Sequence, residues 1–141
     1  MSRVNIRNTQ PKAYDAMFCL EGYLGSIDLP AALIEVVKIR ASQINGCAFC
    51  IQMHSDAALK AGETNKRLFA LPAWKESALF SDEERAVLAL TEEITLISKH
   101  GVSDQVYTSL QKYFKEEQIA QLIMLITVIN AWNRIAISTH A

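Results

Sequence analysis

The sequence predicts an all-α fold: a single-domain helical bundle of six to seven helices over residues 1–141, expected to be oligomeric. Three observations carry this. Apolar residues recur at helical spacing almost throughout, and no stretch sustains the period-two alternation of a half-buried strand. Only 5 Gly and 3 Pro occur, and most stand where a helix would start or stop. Half of the 141 residues are apolar and 21% are charged, a globular balance that leaves disorder and low-complexity classes aside.

The elements follow in order. Pro11 suits the first turn of a helix carrying Ala13, Met17, Leu20 and Leu24, which Gly25 stops. Pro30 opens a second, with Leu33, Val36, Val37, Arg40, Ala41 and Ile44 on its faces and Gly46 at its end. A third runs from near Cys47 to Gly62, and Thr64 caps a short fourth that Pro72 ends or kinks. Ser81 to Glu84 reads as a capping box for a helix lasting to His100, closed by Gly101. Ser103 and Asp104 start another through Tyr113. The last, from about Glu116 to Ser138, is apolar on nearly every side between Ile119 and Ile129, so it must be covered by the core or by another subunit.

Lys plus Arg total 14 against 15 Asp plus Glu, a net charge of −1, so no nucleic acid is expected as a partner. No uninterrupted apolar run reaches the roughly 18 residues of a membrane span, and the start of the chain lacks a secretory apolar segment. A cytoplasmic protein without membrane association is therefore expected. Three cysteines are too few for a secreted disulfide framework. In a cytosolic chain a close pair points instead to catalysis or metal binding, and that pair is Cys47 and Cys50.

Cys50 follows Cys47 by three positions, so on a helix they share one face. In a regular helix their Cβ atoms would stand about 5–6 Å apart, against roughly 3.5–4.5 Å in a disulfide; adjustment in a first turn could close that gap. A thiol of ordinary acidity is only about 3% ionised at pH 7. A helix N-terminus, with free N–H groups and partial positive charge, favours the thiolate. His54 lies one turn after Cys50 and could take the thiol proton. Glu35, set among Ile34, Val36 and Val37, is a candidate to orient that imidazole.

Glu35, then Cys47-Ala48-Phe49-Cys50, then His54 resembles the Glu…Cys-x-x-Cys-x-x-x-His signature of the alkylhydroperoxidase D-like (AhpD-like) group of the carboxymuconolactone decarboxylase superfamily. The interval of twelve residues from Glu35 to Cys47 is the family's spacing, and the runs Lys38 to Cys47 and Asn130 to Arg134 are typical of the group. The resemblance implies an all-helical fold and a thiol-dependent peroxidase acting on alkyl hydroperoxides. Cys50 would be the peroxidatic cysteine, Cys47 the resolving one, and Glu35 with His54 the proton relay. It further implies a homo-oligomer, a trimer or hexamer, and an external thiol or dithiol protein as electron donor.

The sequence departs from the pattern at Phe49, where the characterised peroxidase carries a second histidine, so the relay here is one imidazole shorter. Decarboxylases of the superfamily usually lack the cysteine pair, and its presence argues against lactone decarboxylation. A disulfide reductase or stress-response protein with weak peroxidase activity is the alternative within the same class. In another class stands a non-catalytic metal-binding or assembly domain, since two thiolates, an imidazole and a carboxylate could complete a zinc site. No cofactor motif is present and none is expected, nor is a bound metal.

The remaining residues read more plainly. Cys19, among Met17, Phe18 and Leu20, is expected as an inert core thiol. His100 and His140 read as solvated residues at helix ends, and Trp74 and Trp132 as packing. Asn133 and Arg134 are candidates to support the cysteine site from behind its contacting residues.

Overall fold

The structure, a computed structural model, describes residues 1–140. Among these residues there are nine α-helices and one 3-10 helix, and no strand. In chain order the α-helices are α1 (Ile6–Thr9), α2 (Pro11–Leu24), α3 (Ala31–Asn45), α4 (Ala48–Lys60), α5 (Asn65–Ala70), α6 (Asp82–Thr95), α7 (Ile97–His100), α8 (Asp104–Gln111) and α9 (Glu116–Thr139). The 3-10 helix, Leu71–Glu76, follows α5 directly.

The all-α prediction holds, with more pieces than predicted. The extra α-helices, α1 and α7, are single turns of four residues, too short to carry a periodic apolar signal. The helix expected to run to His100 breaks at Leu96, which leaves helical geometry (φ −102°, ψ 37°). As expected of Pro72, α5 ends just before it, at Ala70, and the 3-10 segment that holds it in its first turn kinks at Ala73 (φ −113°, ψ 31°).

The caps explain where the helices begin. Thr64, Ser81 and Ser103 each accept a backbone N–H from the third residue onward, at 3.3, 3.2 and 3.3 Å. Only half of the box at Ser81 forms. Glu84 accepts the Ser81 hydroxyl at 3.3 Å, and its other oxygen is drawn to the Arg67 guanidinium.

α3 is the central helix. Val37 belongs to one apolar cluster with Leu24, Val87, Leu122 and Ile126, while Val36 and Ile39 belong to another with Ala58, Leu71, Trp74 and Leu88. It packs along α4, α6 and α9. Buried on both sides, α3 holds a fixed orientation, and whatever it carries is held with it. A polar tie reinforces it: Glu92 of α6 accepts from Arg40 at 3.0 Å and from the Trp74 indole at 2.8 Å, with Lys75 at 3.2 Å. Burial opposes ionisation of Glu92, but these hydrogen bonds and charges outweigh it and hold the carboxyl below its usual range.

α9 has the length and average hydropathy of a membrane-crossing helix. Its Ile119, Leu122, Leu125, Ile126, Val128 and Ile129 are nevertheless core residues. Within the single chain one stripe is left uncovered, where Ala120, Ile123, Thr127 and Ile137 are exposed.

Candidate active site

The cysteine pair stands where α3 turns into α4. Gly46 adopts left-handed geometry (φ 73°), its N–H bonds the Gln43 carbonyl at 3.2 Å, and the Cys47 N–H bonds the Ser42 carbonyl at 2.9 Å. These two bonds close the end of α3 and deliver the chain to Cys47 with no intervening loop. Cys47 caps α4 in extended geometry (φ −89°, ψ 94°), and Cys50 is the third residue inside the helix. That extended cap removes the spacing obstacle a regular helix would impose. Cys47 and Cys50 are joined as a disulfide with Cα atoms 5.3 Å apart. The Cys47 sulfur also accepts the Cys50 N–H at 3.3 Å, so a donor of the first helical turn points at the pair.

Both cysteines are buried, yet they are not equivalent. Cys50 lines a cavity of about 400 Å³ with Tyr14, Phe18, Glu21, Phe49, Met53, His54, Trp132, Ile135 and Ala136, whereas Cys47 is not among its walls. A larger cavity, about 600 Å³, lies between α6 and α8 and is lined by none of the predicted site residues. Size is a poor guide here, because the reactive groups gather at the smaller one.

His54 lies one turn after Cys50, and its Nδ1 is 2.9 Å from Glu35 Oε2. α3 and α4 form a helical hairpin packed along its length, which places the carboxylate of one beside the imidazole of the other. With Nδ1–H donated to Glu35, Nε2 keeps its lone pair and is the ring nitrogen left to exchange a proton. The structure thus brings together Glu35, Cys47, Cys50 and His54. In the disulfide state both sulfurs are consumed, and among the described residues no cluster of three or more His, Cys, Asp or Glu side chains is arranged to hold a metal.

Asn133 and Arg134 separate. Asn133 is fully buried; its Oδ1 accepts from Asn45 Nδ2 and its Nδ2 donates to Ser42 Oγ, both at 2.9 Å. Since Ser42 also receives the Cys47 N–H, Asn133 stands two links from the cysteine cap. Arg134 is exposed, bonds Asn130 of its own helix at 2.8 Å, and does not line the cysteine cavity.

Other expectations are corrected. Cys19 is exposed, because α2 turns Met17, Leu20 and Leu24 inward and Cys19 falls on the opposite side. Trp132 is more than packing: it lines the cavity, donates its indole N–H to Glu21 Oε1 at 2.8 Å, and meets Tyr14 and Phe18 at centroid distances of 5.5 and 5.7 Å. Glu21 and the aromatic wall belong to no motif of the sequence. Tyr14, Phe18 and Glu21 recur at intervals of four and three, a single stripe of α2, and that spacing was the available signal. Lys38 stands 4.0 Å from Glu35, whereas Arg40 turns away to Glu92.

Comparison with known proteins bears on the family and the fold. An uncharacterised protein of Bacillus subtilis (strain 168), YdfG, is 42% identical over 136 residues, covering 96% of this chain and 92% of its own. The crystal structure of an Agrobacterium tumefaciens protein of unknown function, ascribed to antioxidant defence as a candidate AhpD, superposes with a TM-score of 0.95 at 34% identity. It covers 100% of this chain and 97% of that one. The debrominase Bmp8 superposes with a TM-score of 0.84 at 19% identity, over 95% of this chain and 72% of its own; at that identity the likeness shows the fold alone. The carboxymuconolactone decarboxylase family model matches residues 11–93, which include Glu35, both paired cysteines and His54. On the matched residues, the relatives and the shared helical scaffold, the chain belongs to the carboxymuconolactone decarboxylase family as one of its AhpD-like members.

Proposed function

We propose that the protein is a thiol-dependent peroxidase that reduces organic hydroperoxides through Cys50 and Cys47. The observation that carries this reading is the asymmetry of the pair: only Cys50 lines the apolar cavity, and it does so beside His54, whose other ring nitrogen is held by Glu35. In the reduced enzyme His54 takes the Cys50 proton, and the thiolate attacks the terminal peroxide oxygen. The O–O bond breaks, Cys50 becomes a sulfenic acid, and the leaving alkoxide takes the proton back from His54 as an alcohol. The Cys47 thiol then condenses with the sulfenic acid, releasing water and forming the disulfide. An external thiol or dithiol protein returns two electrons and two protons by exchange. A reducing cytoplasm is the compartment in which such a cycle would turn over.

The cavity walls favour an organic substrate. Burying 100 Å² of apolar surface against Phe18, Phe49, Met53 and Trp132 is worth about 2.5 kcal/mol, roughly sixty-fold in binding, and hydrogen peroxide has no such surface. The test is intact-mass analysis of the reduced protein after one equivalent of cumene hydroperoxide, with peptide mapping. Rapid loss of two hydrogens mapped to Cys47 and Cys50 is expected. Cys47→Ser should instead retain one added oxygen at Cys50, and Cys50→Ser should not react. Thiols left unmodified after long exposure would overturn the peroxidase reading and leave reduction of disulfides as the use of the pair.

A further inference from the structure

Behind Glu35 lies a charge the proton relay has not used. Lys38, one turn further along α3, is largely buried; its Nζ stands 4.0 Å from Glu35 Oε1 and 3.7 Å from Glu21 Oε2. These are ion-pair separations longer than hydrogen bonds, so the ammonium acts as a point charge between two carboxylates. Each carboxylate commits its other oxygen elsewhere: Glu35 Oε2 to His54 Nδ1 at 2.9 Å, and Glu21 Oε1 to the Trp132 indole at 2.8 Å. One line of contacts therefore runs from α9 through α2 and α3 to the imidazole on α4.

The charges along it do not cancel. Two carboxylates against one ammonium leave a single negative charge beside His54, and a proton arriving on the ring balances it. Of the other titratable groups around the ring, α2 contributes Tyr14, which lines the same cavity as His54. α4 contributes Cys50 and, about two turns on, Lys60 at the edge of a second cavity that also reaches Glu21, Glu35 and Lys38. The α9 residues that line the His54 cavity, Trp132, Ile135 and Ala136, are uncharged. A buried ammonium is costly unless paired, and here it pairs with two carboxylates of which only one touches the histidine.

We propose that Lys38 and Glu21 are positioning residues that set how firmly His54 holds a proton. This rests on the reading of His54 as the proton partner of Cys50, and neither residue touches the reacting atoms. Without Glu21, an imidazolium would face a cluster with no net charge and lose part of its stabilisation. Without Lys38, two unbalanced carboxylates would favour the protonated ring and leave less of the neutral imidazole that takes the Cys50 proton.

The test is NMR titration of the His54 ring in the oxidised full-length protein, where only three histidines need assignment. The Glu21→Gln variant keeps the acceptor for Trp132, and its titration midpoint should fall by about one pH unit. Lys38→Met should raise the midpoint by a similar amount, and Lys38→Arg should leave it near that of the parent. Loss of packing alone would not move the two variants in opposite directions. Midpoints that stay put, or that move the same way, overturn the proposal. If Lys38→Met does not fold, the fall in Glu21→Gln decides by itself. The measurement needs no peroxide turnover, so failure of the peroxidase reading would show separately, as Cys50 inert to hydroperoxide.

Discussion

Asn133 and Arg134 are neighbours in the chain with opposite expected costs. Every hydrogen-bonding group of the Asn133 amide is inside the protein, and truncation would leave Ser42 Oγ and Asn45 Nδ2 short of a partner. Asn133→Ala should lower stability by about 1–3 kcal/mol, read by denaturant unfolding. Arg134→Ala, at an exposed position, should change it by less than about 0.5 kcal/mol. Equal losses would mean that the Ser42–Asn133 link contributes nothing to holding α3 on α9. The sequence motif could nominate both residues, but burial alone separates them, and burial depends on which side of α9 meets α3. His54 and Glu35 were legible because both lie near the cysteines in sequence. Glu21 was not, because its partner Trp132 is 111 residues away.

At the scale of elements, the turn from α3 to α4 creates the site. Gly46 meets nothing within 4 Å of where a Cβ would stand, so its requirement is conformational and not spatial. Placing alanine at φ 73° should cost about 1–2 kcal/mol, measurable as a shift in the unfolding midpoint of Gly46→Ala. A variant as stable as the parent would show that the cysteine cap tolerates another turn geometry. The stops at Gly46 and the caps at Thr64, Ser81 and Ser103 were readable because each is a local bond within a few residues. The break at Leu96 carried no such mark. Glu84 does not reach the Ser81 backbone, because Arg67, on a different helix, competes for its carboxylate.

For the molecule as a whole, the open stripe of α9 bears on assembly. Ile123 and Ile137 are 37% and 41% exposed, and Phe18, Phe49 and Met53 stand half-exposed about the mouth of the Cys50 cavity. So much open apolar surface is consistent with the homo-oligomer, trimer or hexamer, that the family resemblance implies. Light scattering across a dilution series should give a mass of several chains. A single-chain mass at every concentration would sink that assignment.

What the sequence determined by itself is what near neighbours can enforce: helical class, most helix starts and stops, and the spacing of Glu35, Cys47, Cys50 and His54. Only the tertiary structure decided which cysteine meets the cavity, that Tyr14, Phe18 and Trp132 wall it, and that Lys38 lies between two carboxylates. The reason is physical. Periodicity and caps act over a turn or two of helix, whereas a cavity wall and a buried charge pair depend on how α2, α3, α4 and α9 pack. That packing is set by apolar faces brought together from distant parts of the chain.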